Sequence, residues 1–158
     1  LKFTLPSDRE IAFARDFAAP RESVFDALTK PELVRRWLLG PPGWSMPVCQ
    51  IDLRVGGAYR YVWRRDSDGH EMGMGGIYRE IIRPDRVVVT ERFDQSWFPG
   101  EAIVTNALTE SDGITTLILN VLYESPEARD VALKSGMEKG VAASYDRLAE
   151  LVKFAPRQ

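Results

Sequence analysis

The chain has 158 residues, 44% of them hydrophobic and 28% charged, with a formal net charge of −2. That balance fits one ordinary globular domain, residues 1–158 with a core at about 8–154, long enough to enclose a cavity, and it offers no global electrostatic case for nucleic acid or an anionic membrane. The lone cysteine, Cys49, excludes an intramolecular disulfide framework, and neither a basic-then-apolar leader nor an apolar run near the roughly eighteen residues of a membrane span is present, so a cytoplasmic protein is expected.

The first element is predicted as a strand over 9–18, because Ile11, Phe13, Arg15 and Phe17 alternate with Glu10, Ala12, Ala14 and Asp16. Arg15 thereby shares a face with apolar residues, and it either snorkels to a rim, pairs with an acid or meets a ligand. Pro20 ends the strand. Residues 21–28 then read as a short helix presenting Val24, Phe25 and Leu28, and Pro31 restarts helix over 32–38 with Leu33, Trp37 and Leu38. Gly40-Pro41-Pro42-Gly43 closes this pair with a turn-rich loop.

From Met46 onward the period is two. Strands are predicted over 48–55, 58–65, 71–82, 86–93, 101–110 and 115–123. Each join carries turn residues: Gly56-Gly57, Asp66-Ser67-Asp68-Gly69, Arg83-Pro84-Asp85, Trp97-Phe98-Pro99-Gly100 and Ser111-Asp112-Gly113. Joins this short make successive strands antiparallel. Gly73, Gly75 and Gly76 interrupt the 71–82 strand, where a bulge or bend is expected to curl the sheet. Arg60, Arg64 and Arg65 form a small basic cluster, read as a solvated strand face.

The last element is predicted as one long helix over 125–154. Ser125 caps it, Pro126 takes the first helical position, and Val131, Met137, Val141, Tyr145, Leu148 and Val152 line one side, with an offset near Ser135. Gly136 and Gly140 each cost about 1 kcal/mol of helix propensity, offset either by close packing on a sheet or by volume left for a ligand. The fold class is α+β: a curved seven-stranded antiparallel sheet wrapped around a long C-terminal helix, with two short helices after the first strand.

That order comes with particular residues: Arg15-Asp16-Phe17-Ala18-Ala19-Pro20, Val24-Phe25, Ala27-Leu28-Thr29, Pro31-Glu32-Leu33 and Trp37. Beyond them come Asp52-Leu53-Arg54-Val55-Gly56-Gly57, Gly76-Ile77-Tyr78-Arg79-Glu80-Ile81, Ser135-Gly136-Met137-Glu138-Lys139-Gly140, Tyr145 and Leu148. The order and these residues together resemble the START-like or SRPBCC superfamily and its helix-grip fold, and within it the branch named for the activator of heat-shock-protein-90 ATPase. The resemblance implies a hydrophobic cavity between helix and sheet and no particular reaction.

Catalytic and metal signatures are absent from the sequence. The single histidine, His70, sits beside Gly69 in a turn, and no second histidine or cysteine pair supplies a zinc site. Hydrolase-elbow, phosphate-loop and dinucleotide fingerprints do not occur. No catalytic residue, metal or cofactor is therefore expected. What remains is a pocket assembled by strand parity: Tyr59, Tyr61 and Trp63 share one face, and Met72, Met74 and Tyr78 share another. A plain aromatic core reads equally well from the same residues.

The expected ligand-binding set is Trp37, Tyr59, Tyr61, Trp63, Met74, Glu91, Asn106, Met137, Val141 and Tyr145. Trp37 and the Trp97-Phe98 loop are placed near the mouth, and Asn106 is expected to orient a polar group. Glu91 shares parity with Val87, Val89 and Phe93. It is either turned outward by a bulge or, if inward, paired with Arg15 or protonated. The leading reading is a protein that binds a small apolar or amphipathic molecule, with no nucleic acid or membrane partner and with a homodimer possible through sheet edges or the exposed-looking Trp44 and Trp97. The alternatives are a cyclase- or hydrolase-like enzyme using Glu91 and Arg15, and a co-chaperone-like interaction module.

Overall fold

In the computed structural model, which describes residues 1–95 and 100–153, eight strands form one antiparallel sheet. The strands are β1 (Lys2–Thr4), β2 (Glu10–Phe17), β3 (Trp44–Ile51), β4 (Ala58–Arg65), β5 (Glu71–Ile82), β6 (Arg86–Phe93), β7 (Ala102–Ser111) and β8 (Ile114–Leu122), with helices α1 (Arg21–Thr29), α2 (Pro31–Trp37), α3 (Pro126–Lys134) and α4 (Met137–Lys153). Across the sheet the order is β1-β2-β8-β7-β6-β5-β4-β3. β3 to β8 thus form a meander of successive neighbours, as the short joins require.

Three expectations change. The strand β1 is an addition to the seven expected: Lys2, Phe3 and Thr4 pair with Ala14, Phe13 and Ala12 of β2, and Phe3 packs on the Phe13 ring at 5.5 Å. Three residues are too few to display a period. The strand expected over 48–55 runs instead from Trp44 to Ile51, because the Arg54 N–H donates to the Asp52 carbonyl and the Gly57 N–H to the Arg54 carbonyl, which turns the chain. Gly56 takes φ 88°, a left-handed conformation suited to glycine. The register between β3 and β4 shifts around Pro47, which lies on an edge strand where its missing N–H leaves no ladder partner unsatisfied.

The third change is the largest. The single long C-terminal helix is two helices, broken at Ser135-Gly136, where Gly136 adopts φ 82°. The N-terminal signal holds, since the Ser125 side chain accepts from the Ala128 N–H. Gly136 serves as a left-handed stop, and Gly140 is not pressed on the sheet: a Cβ there would meet Pro41 Cδ at 3.7 Å, ordinary contact. The two glycines therefore respond with opposite signs. Gly136→Ala is expected to destabilise by about 1 kcal/mol through its left-handed backbone, and Gly140→Ala to stabilise by up to about 1 kcal/mol through helix propensity; paired thermal melts of the two variants check both.

The sheet curls where two strands approach closely. A Cβ on Gly76 would be driven into the Thr90 carbonyl of β6, and the β5–β6 register slips between Tyr78 and Glu80. The C-terminal part of α4 fills the concave side: Tyr145, Leu148 and Val152 join Phe17, Val24, Phe25, Trp37 and Leu117 in one core. A second core, with Ile11, Phe13 and Val121, takes Ala128 and Ala132 of α3. Burying each large apolar side chain there contributes roughly 1.5–3 kcal/mol. The Trp97-Phe98 turn and Phe154 lie outside the described residues. Among those described, no helix is long and apolar enough to cross a membrane.

Candidate functional site

Beneath the N-terminal half of α4 lies a cavity of about 560 Å³. Strand parity decides its wall, since alternate residues of each strand point the same way. Tyr59, Tyr61 and Trp63 come from β4, Met72, Met74 and Tyr78 from β5, Val87, Val89, Glu91 and Phe93 from β6, and Val104 and Asn106 from β7. Met137, Gly140, Val141, Ser144 and Tyr145 of α4 form the roof, with Trp37, Trp44 and the 38–41 loop at its side. The loop is tied to α4, because the Gly40 N–H donates to Ser144 Oγ at 2.9 Å and Arg147 donates to the Gly40 carbonyl at 2.7 Å. The aromatic wall of β4 and β5 is continuous: Tyr59 lies 5.1 Å from Tyr61 and 5.7 Å from Tyr78, and Tyr61 lies 5.9 Å from Trp63.

Trp37, Tyr59, Tyr61, Trp63, Met74, Glu91, Asn106, Met137, Val141 and Tyr145 all border this space. Their roles within it differ from expectation. Trp37 is only 3% exposed, a core residue rather than a mouth residue, with its indole N–H donated to the Ala27 carbonyl at 2.8 Å. Trp63 donates to the Leu38 carbonyl at 2.7 Å, and Tyr59 donates to the Thr90 carbonyl at 2.6 Å. These three polar tips are therefore taken up by backbone. The hydroxyls of Tyr61, Tyr78 and Tyr145 make no hydrogen bond among the described residues and are open to the cavity.

Glu91 faces inward. Its neighbours of equal parity, Val87, Val89 and Phe93, line the same wall, so the outward bulge does not occur at this position. Nor is it paired with Arg15, which instead donates to Asp146 of α4 at 3.0 Å and lies over the Phe17 ring outside the cavity. Burial alone pushes the Glu91 carboxyl up to about 7. Small residues flank it: Ala102 is opposite on β7, and the pairs Gly75 with Arg92 and Tyr78 with Val89 put Gly76 opposite on β5. Beyond Gly76 stands Tyr59, its registered partner on β4.

Asn106 is opposite Val87, whereas Glu91 is opposite Ala102. Four residues of strand separate the two rows, roughly 13 Å. The amide and the carboxyl therefore serve opposite ends of the space. Trp44, expected on the surface, is half-buried against the cavity, with the Arg65 guanidinium over its ring and His70 at its edge. Its position next to a proline-rich loop carries no period, and parity could not place it. Tyr78 was legible by parity with Met74.

The basic cluster of β4 is neutralised, Arg60 by Asp94, Arg64 by Glu71 and Arg65 by Asp68. Among the described residues no group of His, Cys, Asp and Glu could hold a metal ion.

A curled antiparallel sheet closing on a C-terminal helix, with two short helices between its second and third strands, is the helix-grip arrangement. The family described as Activator of Hsp90 ATPase homolog 1-like protein matches residues 18–153. The chain belongs to that family. The family match takes in every residue that borders the cavity, from Leu28 to Tyr145. A crystal structure from Rhodobacter sphaeroides, 31% identical, covers 99% of this chain and 100% of its own with a TM-score of 0.90. Another, from Chromobacterium violaceum, is 30% identical over 92% of this chain and 99% of its own, with a TM-score of 0.79. No curated protein matches the chain by sequence.

Proposed function

We propose that this family member binds a small apolar or amphipathic molecule in the cavity beneath α4. The observation that carries the reading is the volume itself, about 560 Å³ against an aromatic and methionine-rich wall. Protein interiors are ordinarily close-packed, and an apolar space this large forfeits dispersion contacts that an occupant of matching chemistry would restore. The size and lining are those of small-molecule sites, with few polar groups to orient the occupant. Acid–base catalysis by Glu91 and Arg15 lacks the required geometry, since the two do not converge.

We place the protein in a reducing cytoplasm, in keeping with a single buried Cys49 thiol that burial pushes above its ordinary value. The paired arginines of β4 leave no basic stripe there for nucleic acid or an anionic membrane. An assembly of two copies would use the unpaired backbone of the edge strands β1 or β3.

The test is titration with N-phenyl-1-naphthylamine, an uncharged fluorophore that brightens in apolar surroundings. Saturable one-to-one binding is expected, weakened at least tenfold by Val141→Phe, which fills the roof. Unsaturable binding, or equal binding by a variant that remains folded, would remove the reading.

A further inference from the structure

Glu91 is the one charged side chain bordering the cavity among the described residues. Among the described residues no hydrogen bond or ion pair is made to its carboxyl, and burial raises its pKa. The residues in register with it, Gly76 and Ala102, bring no long side chain to the carboxyl, and the Tyr59 ring reaches across Gly76 to the Thr90 carbonyl beside it. Tyr59 continues into the aromatic wall with Tyr61 and Trp63.

We propose that the molecule this cavity accepts carries a protonated amine, seated against the Glu91 carboxylate, with its apolar body lying along the aromatic wall of β4. This rests on the binding reading above and specifies its ligand class. The argument is one of charge. An anionic ligand would be repelled by an ionised Glu91, and a neutral one would leave that carboxylate buried and unpaired. A cation supplies a charge-assisted hydrogen bond, and aromatic rings attract the same charge electrostatically. The tyrosines that feel Glu91, namely Tyr59 and Tyr61 of β4 and Tyr123 beyond β8, and the remaining cavity tyrosines, Tyr78 of β5 and Tyr145 of α4, are all pushed upward by burial and stay neutral. Glu101, just before β7, is outside the lining. Within the lining, amine binding therefore follows the ionisation of Glu91.

The experiment displaces N-phenyl-1-naphthylamine from the full chain with 6-phenylhexylamine or 6-phenylhexan-1-ol, at pH 8 and pH 5. The amine is expected to displace at a concentration at least tenfold lower than the alcohol at pH 8. That ratio is expected to fall toward one at pH 5, where Glu91 holds its proton, and in Glu91→Gln. An alcohol that displaces as well as the amine at pH 8 overturns the amine assignment while leaving the binding reading intact. An amine preference unchanged in Glu91→Gln and at pH 5 overturns the seating at Glu91. Failure of the fluorophore itself to bind removes both. The wild-type comparison needs no variant to fold.

Discussion

Replacing Glu91 by glutamine is expected to stabilise the protein at pH 8 by on the order of 2 kcal/mol, and the gain is expected to shrink to a fraction of that as the pH is lowered toward 4.5. The folded carboxyl keeps its proton up to about pH 7, whereas an unperturbed one releases it near 4.5. Between those values the native state binds the proton that the unfolded chain has lost, so native stability falls as pH rises through this window and is flat above it. A shift of this size corresponds to about 3 kcal/mol at 1.36 kcal/mol per unit, reduced here because the carboxyl borders an open space that water can enter. Glutamine keeps the shape and has no proton to lose. Urea denaturation of both proteins at pH 4.5 and pH 8 reads the difference; a gap of equal size at the two pH values would show that the carboxyl is not held in its raised state. The cost falls where the proposed ligand would sit, as expected of a group retained for binding rather than for stability.

Gly76→Ala is expected to destabilise by about 3 kcal/mol or more, at the upper end of overpacking penalties. The added methyl would be driven into the Thr90 carbonyl, with the Thr90 carbonyl carbon at 2.6 Å and Thr90 Oγ1 at 2.9 Å. None of these atoms is free to move aside. The carbonyl oxygen accepts the Tyr59 hydroxyl at 2.6 Å, and Oγ1 accepts the Ile77 N–H at 2.9 Å. Relief requires β5 and β6 to part, breaking both bonds and displacing Glu91, the next residue along. The same denaturation assay measures it, and a loss below about 1 kcal/mol would mean that the strands are not in this close contact. The contrast with Gly140→Ala is instructive, since that glycine has only ordinary contacts around its missing Cβ.

Most of the cavity wall was legible before any coordinates, because a strand's period of two assigns alternate residues to one face from local sequence alone. Tyr59, Tyr61 and Trp63 on β4, and Val87, Val89, Glu91 and Phe93 on β6, lie together for that reason. The turn glycines and the Ser125 cap were equally local. Tertiary structure decided the rest. A glycine in a helical run reads alike whether it weakens the helix or stops it, and only the left-handed backbone of Gly136 shows that α3 and α4 are separate. Arg15 could have met Glu91 by parity; its partner Asp146 lies 131 residues away, and such pairing depends on which helix face reaches which strand. The length of β1, the inward side of Trp44 and the inward side of Glu91 have the same origin. Above all, periodicity names the residues on a face but not the gap between faces: a core and a cavity share one pattern, and only the packed chain shows a cavity between α4 and the sheet.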